Sequence, residues 1–175
     1  IRVRFRPVCD WGEPARVTRG SGNYLRFNTG KAALRLTTSA PIGPVQEEAV
    51  FRLERPVHFI LGPDEPFLQS GGNSPEAMLD NTISYWRRWV RGLAIPLEWQ
   101  GAVIRAANTL KLWQHAETGA IVAALTTSIP EHAGSQRNWD YRFCWIRDAY
   151  YTVQALNRVG ALDVLESYLV FLRNV

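Results

Sequence analysis

The first third of the chain contains short runs in which apolar and polar residues alternate. Alternation with a period of two is typical of strands with one buried face, and clusters of Gly and Pro separate the runs. The predicted strands cover residues 2–5, 24–28, 32–37 and 49–53, with a turn at Pro41-Ile42-Gly43-Pro44. Short strands with regular turns favour an N-terminal β-sandwich over residues 1–62.

The pattern changes after residue 62, first to a Gly- and Pro-rich stretch and then to helical spacing. Residues 63–75 are predicted to be a linker. Asn73 or Ser74 is the expected cap of a helix with Pro75 at its first position. Residues 76–175 are predicted to be mainly helical, with an extended strand or loop at 120–127.

Three apolar stripes with steps of three and four residues support the helical prediction. We expect the stripes to face the protein core. We also expect Gly160 to follow the end of the helix that begins near Ile146. Their members are Trp99, Val103, Ala106, Leu110 and Trp113, then Ile146, Ala149, Tyr150, Val153 and Leu156, then Leu162, Leu165, Leu169 and Leu172.

Both ends of the chain lie inside predicted elements. Ile1 stands in a predicted strand with no initiator Met, and Val175 lies within an amphipathic run without a stop signal. We therefore expect the sequence to be a fragment of a longer protein.

The charge of the chain does not indicate a nucleic-acid surface. There are 20 Lys and Arg residues against 16 Asp and Glu residues, which gives a formal net charge of +4. Nearly all the basic residues are arginines, and Arg2, Arg4 and Arg6 alternate with other residues as on the solvent face of a sheet. Since no block of five or six like charges occurs, we expect no nucleic-acid partner. No apolar run approaches the length of roughly 20 residues that spans a membrane, so no membrane partner is expected.

The cysteines and histidines suggest neither a disulfide framework nor a metal site. Cys9 and Cys144 lie far apart, and we expect both to be reduced and partly buried. His58, His115 and His132 do not form a ligand pattern, so no metal and no cofactor are predicted. The unpaired cysteines favour a cytoplasmic location, and the pattern carries no information on oligomeric state.

Residues 138–148, where a predicted loop becomes a helix, are rich in aromatic residues and in opposite charges. Trp139 and Trp145 flank Tyr141, and flat rings offer apolar area to the face of a sugar or a base. Arg147 and Asp148 are adjacent, and together they supply donors and an acceptor that suit vicinal hydroxyl groups. The residues alone leave two interpretations open: binding of a carbohydrate or other polyol, or a buried Arg–Asp pair that only joins helices.

The order of motifs over residues 110–149 resembles glycoside hydrolase family 15, which includes glucoamylases and trehalases. The motifs are Thr118-Gly119-Ala120, Thr126-Thr127-Ser128, Pro130-Glu131 and the run from Arg137 to Ala149, while Arg6-Pro7 and Asp10-Trp11-Gly12 resemble the family's N-terminal domain. The resemblance implies a β-sandwich domain followed by the first helices of an all-α (α/α) six-hairpin barrel, truncated at Val175. Residues 76–175 would then begin the catalytic domain.

The resemblance also implies a substrate-binding role for Tyr141, Trp145, Arg147 and Asp148. Arg147 and Asp148 match the pair that holds the terminal glucosyl unit by its hydroxyl groups. Tyr141 matches an aromatic position of the same subsite, and Trp145 matches one beside the neighbouring subsite. The expected partner is therefore an α-glucoside.

The implied reaction is hydrolysis of α-glucosidic bonds with inversion, by an acid and a base roughly 6.5–9.5 Å apart. The family's two catalytic glutamates follow the matched segment, so no catalytic residue is expected within residues 1–175. Asp140 is interpreted as a loop-ordering group and Glu166 as a solvated helix charge.

Three functions follow as expectations. The main prediction is a glucoamylase-like enzyme acting on maltooligosaccharide or starch ends, and the alternative is a trehalase. From another class, the chain could be a non-catalytic carbohydrate-binding or scaffold module.

Overall fold

The protein is described by a computed structural model that covers residues 1–9, 12–67, 74–125 and 132–175. The chain divides into two compact units, Ile1–Thr82 and Ile83–Val175. The predicted cap at Asn73 and the motifs at 10–11 and 126–131 lie outside the described residues. The proposed division into a sandwich at 1–62, a linker at 63–75 and a helical domain from 76 stays a prediction.

Unit 1 is built on two antiparallel sheets. A two-stranded sheet pairs β1 with β2, and a four-stranded sheet has the order β3-β4-β5-β6. The elements are β1 (Val8–Cys9), β2 (Glu13–Pro14), β3 (Arg16–Arg19), β4 (Tyr24–Asn28), β5 (Ala33–Thr38), the short helix α1 (Ile42–Gln46) and β6 (Phe59–Pro63).

The alternation predicted for β4 and β5 places one face of the larger sheet in the core of unit 1. Leu25 and Phe27 of β4 are buried, and they stand opposite Leu36 and Leu34 of β5. Ile42 of α1 packs into the same cluster. The strands predicted at 24–28 and 32–37 are therefore confirmed, the second with a shift of one residue.

Two predicted strands at the edges of unit 1 are wrong. Residues 2–5 and 49–53 form no strand, and only an isolated bridge joins Arg2 to Val50. Val50 is 68% exposed, whereas Phe5 and Phe51 pack against the core of unit 1 without belonging to a strand. The predicted turn at Pro41 instead leads into α1.

Four longer helices follow the sheets. They are α2 (Pro75–Arg91), α3 (Gln100–Leu112), α4 (Ile146–Arg158) and α5 (Leu162–Asn174). The Ser74 hydroxyl oxygen accepts a hydrogen bond from the Ala77 amide at 3.1 Å, which confirms Ser74 as the cap and Pro75 as the first helical residue. Gly160 has a φ of +80° directly after α4, as predicted for a residue that ends a helix.

The core of unit 2 is only partly the one predicted from the apolar stripes. Its buried residues are Ala107, Ile121, Ala149, Val153, Leu156, Ala161, Val164 and Tyr168. Trp99, in contrast, is 79% exposed at the N-cap of α3, and Ile146, Tyr150, Leu162, Leu169 and Leu172 are also exposed. For the leucines of α5 the reason is that this helix buries Val164 and Tyr168, which lie on a face beside the stripe of leucines.

The fold class is thus a β-rich part followed by helices, as predicted. The sandwich and the barrel remain proposals. Among the described residues, no helix combines the length and the apolar character needed to cross a membrane.

Candidate functional site

The candidate site rests on an extended segment that follows α3. Gly119, with a φ of +80°, turns the chain back, and Ile121 then forms an isolated bridge with Gln114. The Val122 amide donates to the Trp113 carbonyl at 3.1 Å. Because the Ile121 side chain is fully buried, the segment is held against the core of unit 2.

This segment in turn holds the aromatic loop, residues 139–145, that leads into α4. The Ala124 amide donates to the Tyr141 carbonyl at 2.8 Å, and the Ala123 amide donates to the Phe143 carbonyl at 3.1 Å. Both hydrogen bonds are accepted by the loop backbone, so they do not involve the side chains of the loop.

Three rings of the aromatic loop contact one another. The rings of Trp139 and Trp145 are 6.1 Å apart between centroids at an interplanar angle of 81°, and those of Tyr141 and Trp145 are 5.7 Å apart at 45°. Such edge-to-face and tilted contacts are the favourable geometries for aromatic pairs. Tyr141 and Trp145 are half-buried and Trp139 is exposed, so the cluster has an accessible side.

Asp140 and Arg142 form a close ion pair within the loop. Arg142 Nη2 lies 2.7 Å from Asp140 Oδ2, and Arg142 Nε lies 3.0 Å from Oδ1. Hydrogen bonds from the Arg142 side chain, then from its backbone amide, lower the pKa of Asp140. The same side-chain hydrogen bond raises the pKa of Arg142.

Arg147 and Asp148 lie in the first turn of α4. Arg147 Nη2 is 3.3 Å from Asp148 Oδ2, and the side chains are 73% and 32% exposed respectively. Oδ2 is buried and accepts no hydrogen bond, so the contact with Arg147 is an ion pair without hydrogen-bond geometry. The carboxylate also lies near the positive end of the helix dipole.

The two side chains of this pair differ in exposure, and both interpretations of the pair, polyol binding and a connection between helices, stay predictions. The Arg147 guanidinium is mostly exposed and makes no other ion pair among the described residues. Its N–H groups are therefore largely accessible to solvent.

The four predicted site residues lie close together along the chain, on either side of one junction. Trp145 is the N-cap of α4, so Tyr141 and Trp145 stand directly before the helix, while Arg147 and Asp148 stand within its first turn. A contact that the sequence analysis did not predict joins Trp145 Nε1 to the Asp140 carbonyl at 2.9 Å. No sequence signal marks a bond between a side chain and a backbone oxygen five residues away.

Three further groups are the possible metal ligands, the two cysteines and Glu166. Within the described ranges, no group of three or more His, Cys, Asp or Glu residues is arranged to bind a metal ion. Cys9 and Cys144 are free and partly buried, as predicted. Glu166 is exposed on α5, as expected of a solvated charge.

Comparison with known proteins finds a family match over the C-terminal part of the chain. The sequence model of the family "Glycosyl hydrolases family 15" matches residues 99–174, which include the aromatic loop and the start of α4. No solved structure matches the chain.

Similar curated proteins carry the name trehalase. The chain is 30% identical to the trehalase of Thermoplasma volcanium over 168 residues, which are 91% of this chain and 26% of that protein. It is 39% identical to the trehalase of Thermoplasma acidophilum over 97 residues (55% and 17%), and 37% identical to that of Mycobacterium tuberculosis over 95 residues (54% and 14%). The chain thus spans about a quarter or less of these relatives.

Proposed function

We propose that this chain, whose resemblance to glycoside hydrolase family 15 is confirmed by the family match and the relatives, is part of an enzyme that hydrolyses α-glucosidic bonds. The names of the relatives favour trehalose as the substrate. The alternative derived from the sequence, a trehalase, is therefore better supported than the main prediction of a glucoamylase-like enzyme acting on maltooligosaccharide or starch ends.

One observation carries the proposal: an exposed guanidinium and a carboxylate oxygen without a hydrogen bond stand together directly after an aromatic cluster. The Arg147 guanidinium offers N–H donors, and Asp148 Oδ2 lacks a hydrogen-bond donor within the described residues. Neighbouring hydroxyl groups of a pyranose both donate and accept, so they fit this pair. In this proposal Arg147 and Asp148 hold the glucose by its hydroxyls, while Tyr141 and Trp145 offer ring area to its apolar face.

The acid and base of the reaction are proposed to lie in other parts of the whole protein. Inversion needs one carboxyl group that keeps its proton until it meets the leaving oxygen. Asp140 does not meet this need, because its hydrogen bonds with Arg142 lower its pKa. The role of this chain would be to bind and orient the glucosyl unit.

The test is hydrolysis of trehalose and maltotriose, measured side by side with the whole protein. We expect a higher kcat/KM on trehalose, and proton NMR of the first products should show one β-glucose and one α-glucose per trehalose, because inversion acts on one of the two anomeric centres. Faster cleavage of maltotriose would support the glucoamylase-like enzyme instead. Binding of either sugar in calorimetry without hydrolysis would support the non-catalytic module.

A further inference from the structure

The carboxylate of Asp140 is held from three directions by a single neighbour. Its Oδ1 accepts from the Arg142 backbone amide at 3.0 Å and from Nε at 3.0 Å, and its Oδ2 accepts from Nη2 at 2.7 Å. A planar guanidinium that meets both carboxylate oxygens sets the relative orientation of two side chains. The added backbone hydrogen bond extends this constraint to the chain between residues 140 and 142.

The backbone that is constrained in this way carries the hydrogen-bond acceptor of Trp145. The Asp140 carbonyl accepts from Trp145 Nε1 at 2.9 Å, while the carbonyls of Tyr141 and Phe143 are bound to the segment that follows α3. An indole whose only donor is satisfied by a fixed carbonyl has a defined ring plane. The orientation of Trp145 therefore depends on where residue 140 is held.

We propose that Asp140 and Arg142 are positioning residues that hold the indole of Trp145, and with it the adjoining ring of Tyr141, in the orientation used against the sugar. This inference rests on the function proposed above for the aromatic cluster. A positioning role differs from a catalytic role for Asp140. The carboxylate is hydrogen-bonded to Arg142, so Asp140 affects the substrate only through the orientation of Trp145. Small misplacements of a binding group lower the rate substantially, so the pair matters to catalysis although neither residue touches the reacting bond.

The Asp140–Arg142 ion pair would matter more for the orientation of Trp145 than for the free energy of unfolding. The Asp140 and Arg142 side chains are 33% and 56% exposed, and exposed ion pairs contribute little to the free energy of unfolding. Loss of the ion pair is therefore expected to leave the fold intact but to change the orientation of the Trp145 indole.

The kinetic test is a double-mutant cycle in the whole protein with trehalose. Asp140→Ala is expected to lower kcat/KM about tenfold, and Arg142→Ala somewhat less, because it keeps the backbone hydrogen bond from residue 142 to Asp140. The double variant should be no worse than Asp140→Ala, because that substitution already removes every contact of the pair. Asp140→Asn, which keeps an oxygen for the Arg142 amide, should recover part of the loss. Asp80→Ala is the matched control, since Asp80 is exposed on α2 and has no partner within the part of the chain that the structure describes.

A spectroscopic test keeps the inference separate from the proposed activity. With indole nitrogens labelled by ¹⁵N, the Trp145 resonance is assigned by its loss in Trp145→Phe, and it should shift or broaden in Asp140→Ala and Arg142→Ala but not in Asp80→Ala. If the wild-type protein hydrolyses neither sugar while this shift is seen, the proposed function fails and the positioning of the indole stands.

Three results would overturn the inference. An unchanged Trp145 resonance in both alanine variants would show that the pair does not hold the indole. A shifted Trp145 resonance with an unchanged kcat/KM in an active enzyme would show that the orientation of the indole does not affect catalysis. A further loss in the double variant relative to Asp140→Ala would show that the two residues act on the site independently and not as a pair.

Discussion

At the scale of single residues, the carboxylate of Asp148 has an environment that contributes little to the stability of the fold. One carboxylate oxygen is buried without a hydrogen-bond donor, and the ion pair with Arg147 reaches a side chain that is largely in solvent. A buried acceptor without a donor is unfavourable for folding. The function proposed above assigns the missing donor to a hydroxyl group of the sugar.

The first prediction concerns Asp148→Ala in the whole protein. We expect kcat on trehalose to fall about 100-fold, because a charged acceptor that grips glucose hydroxyls in the transition state is lost. The melting temperature should remain within a few degrees of wild type. Steady-state kinetics and thermal unfolding followed by circular dichroism measure the two effects.

The matched control for this variant is Glu166→Ala, which removes an exposed carboxylate on α5 that makes no described contact. It should keep wild-type turnover and stability. Wild-type turnover in Asp148→Ala would assign Asp148 a purely structural role.

At the scale of elements, helix ends and the segments between them determine where the aromatic loop lies. Gly119 turns the chain after α3, and its α-carbon faces the backbone of α5: a Cβ there would lie 2.3 Å from the Ser167 carbonyl oxygen. Gly160 has the same φ of +80° between α4 and α5, but the nearest atom to a Cβ is 3.9 Å away. The two glycines thus differ in steric environment and not in backbone conformation.

The second prediction compares Gly119→Ala with Gly160→Ala. Gly160→Ala should lower the free energy of unfolding by about 1–2 kcal/mol, the cost of a left-handed conformation for a residue with a Cβ. Gly119→Ala adds overpacking against α5, so we expect a total loss of about 3 kcal/mol or more. Urea unfolding with a constant m-value measures both, and equal losses would mean that the chain after α3 moves away from α5 at no cost.

At the scale of the whole molecule, the positive charge is spread over local ion pairs. Arg26 and Arg35 both contact Asp64, with nitrogen–oxygen distances of 2.7 and 3.2 Å, and Arg6 pairs with Glu48. Burial raises the pKa of Asp64, but the hydrogen bonds from both arginines outweigh it and lower the pKa overall. The carboxylate therefore stays ionised, and it neutralises part of the charge on that face of the sheet.

The third prediction follows from this distribution of charge. Fluorescence anisotropy with a labelled 30-base-pair duplex should show only weak binding, near the ~10⁻⁴ M end of non-specific affinities. Affinity in the nanomolar range that falls steeply between 50 and 200 mM salt would contradict it, since that slope reports many phosphate contacts.

Local features of the chain were determined by the sequence itself. The strands β4 and β5, the cap at Ser74, the end of α4 at Gly160 and the place of Arg147 and Asp148 at a helix start were all predicted, because alternation, capping and left-handed glycines act within a few residues. The order of motifs along residues 110–149 also predicted the family resemblance, and the comparisons confirm it.

Tertiary structure decided which of the predicted faces became buried. Trp99 and Ile146 are exposed, and residues 49–53 form no strand. Backbone hydrogen bonds join the aromatic loop to Ala123 and Ala124. The physical reason is that burial and backbone hydrogen bonds of a loop depend on which segments meet in space. Periodicity along the chain predicts an amphipathic element, but only the packed structure determines what its apolar face contacts.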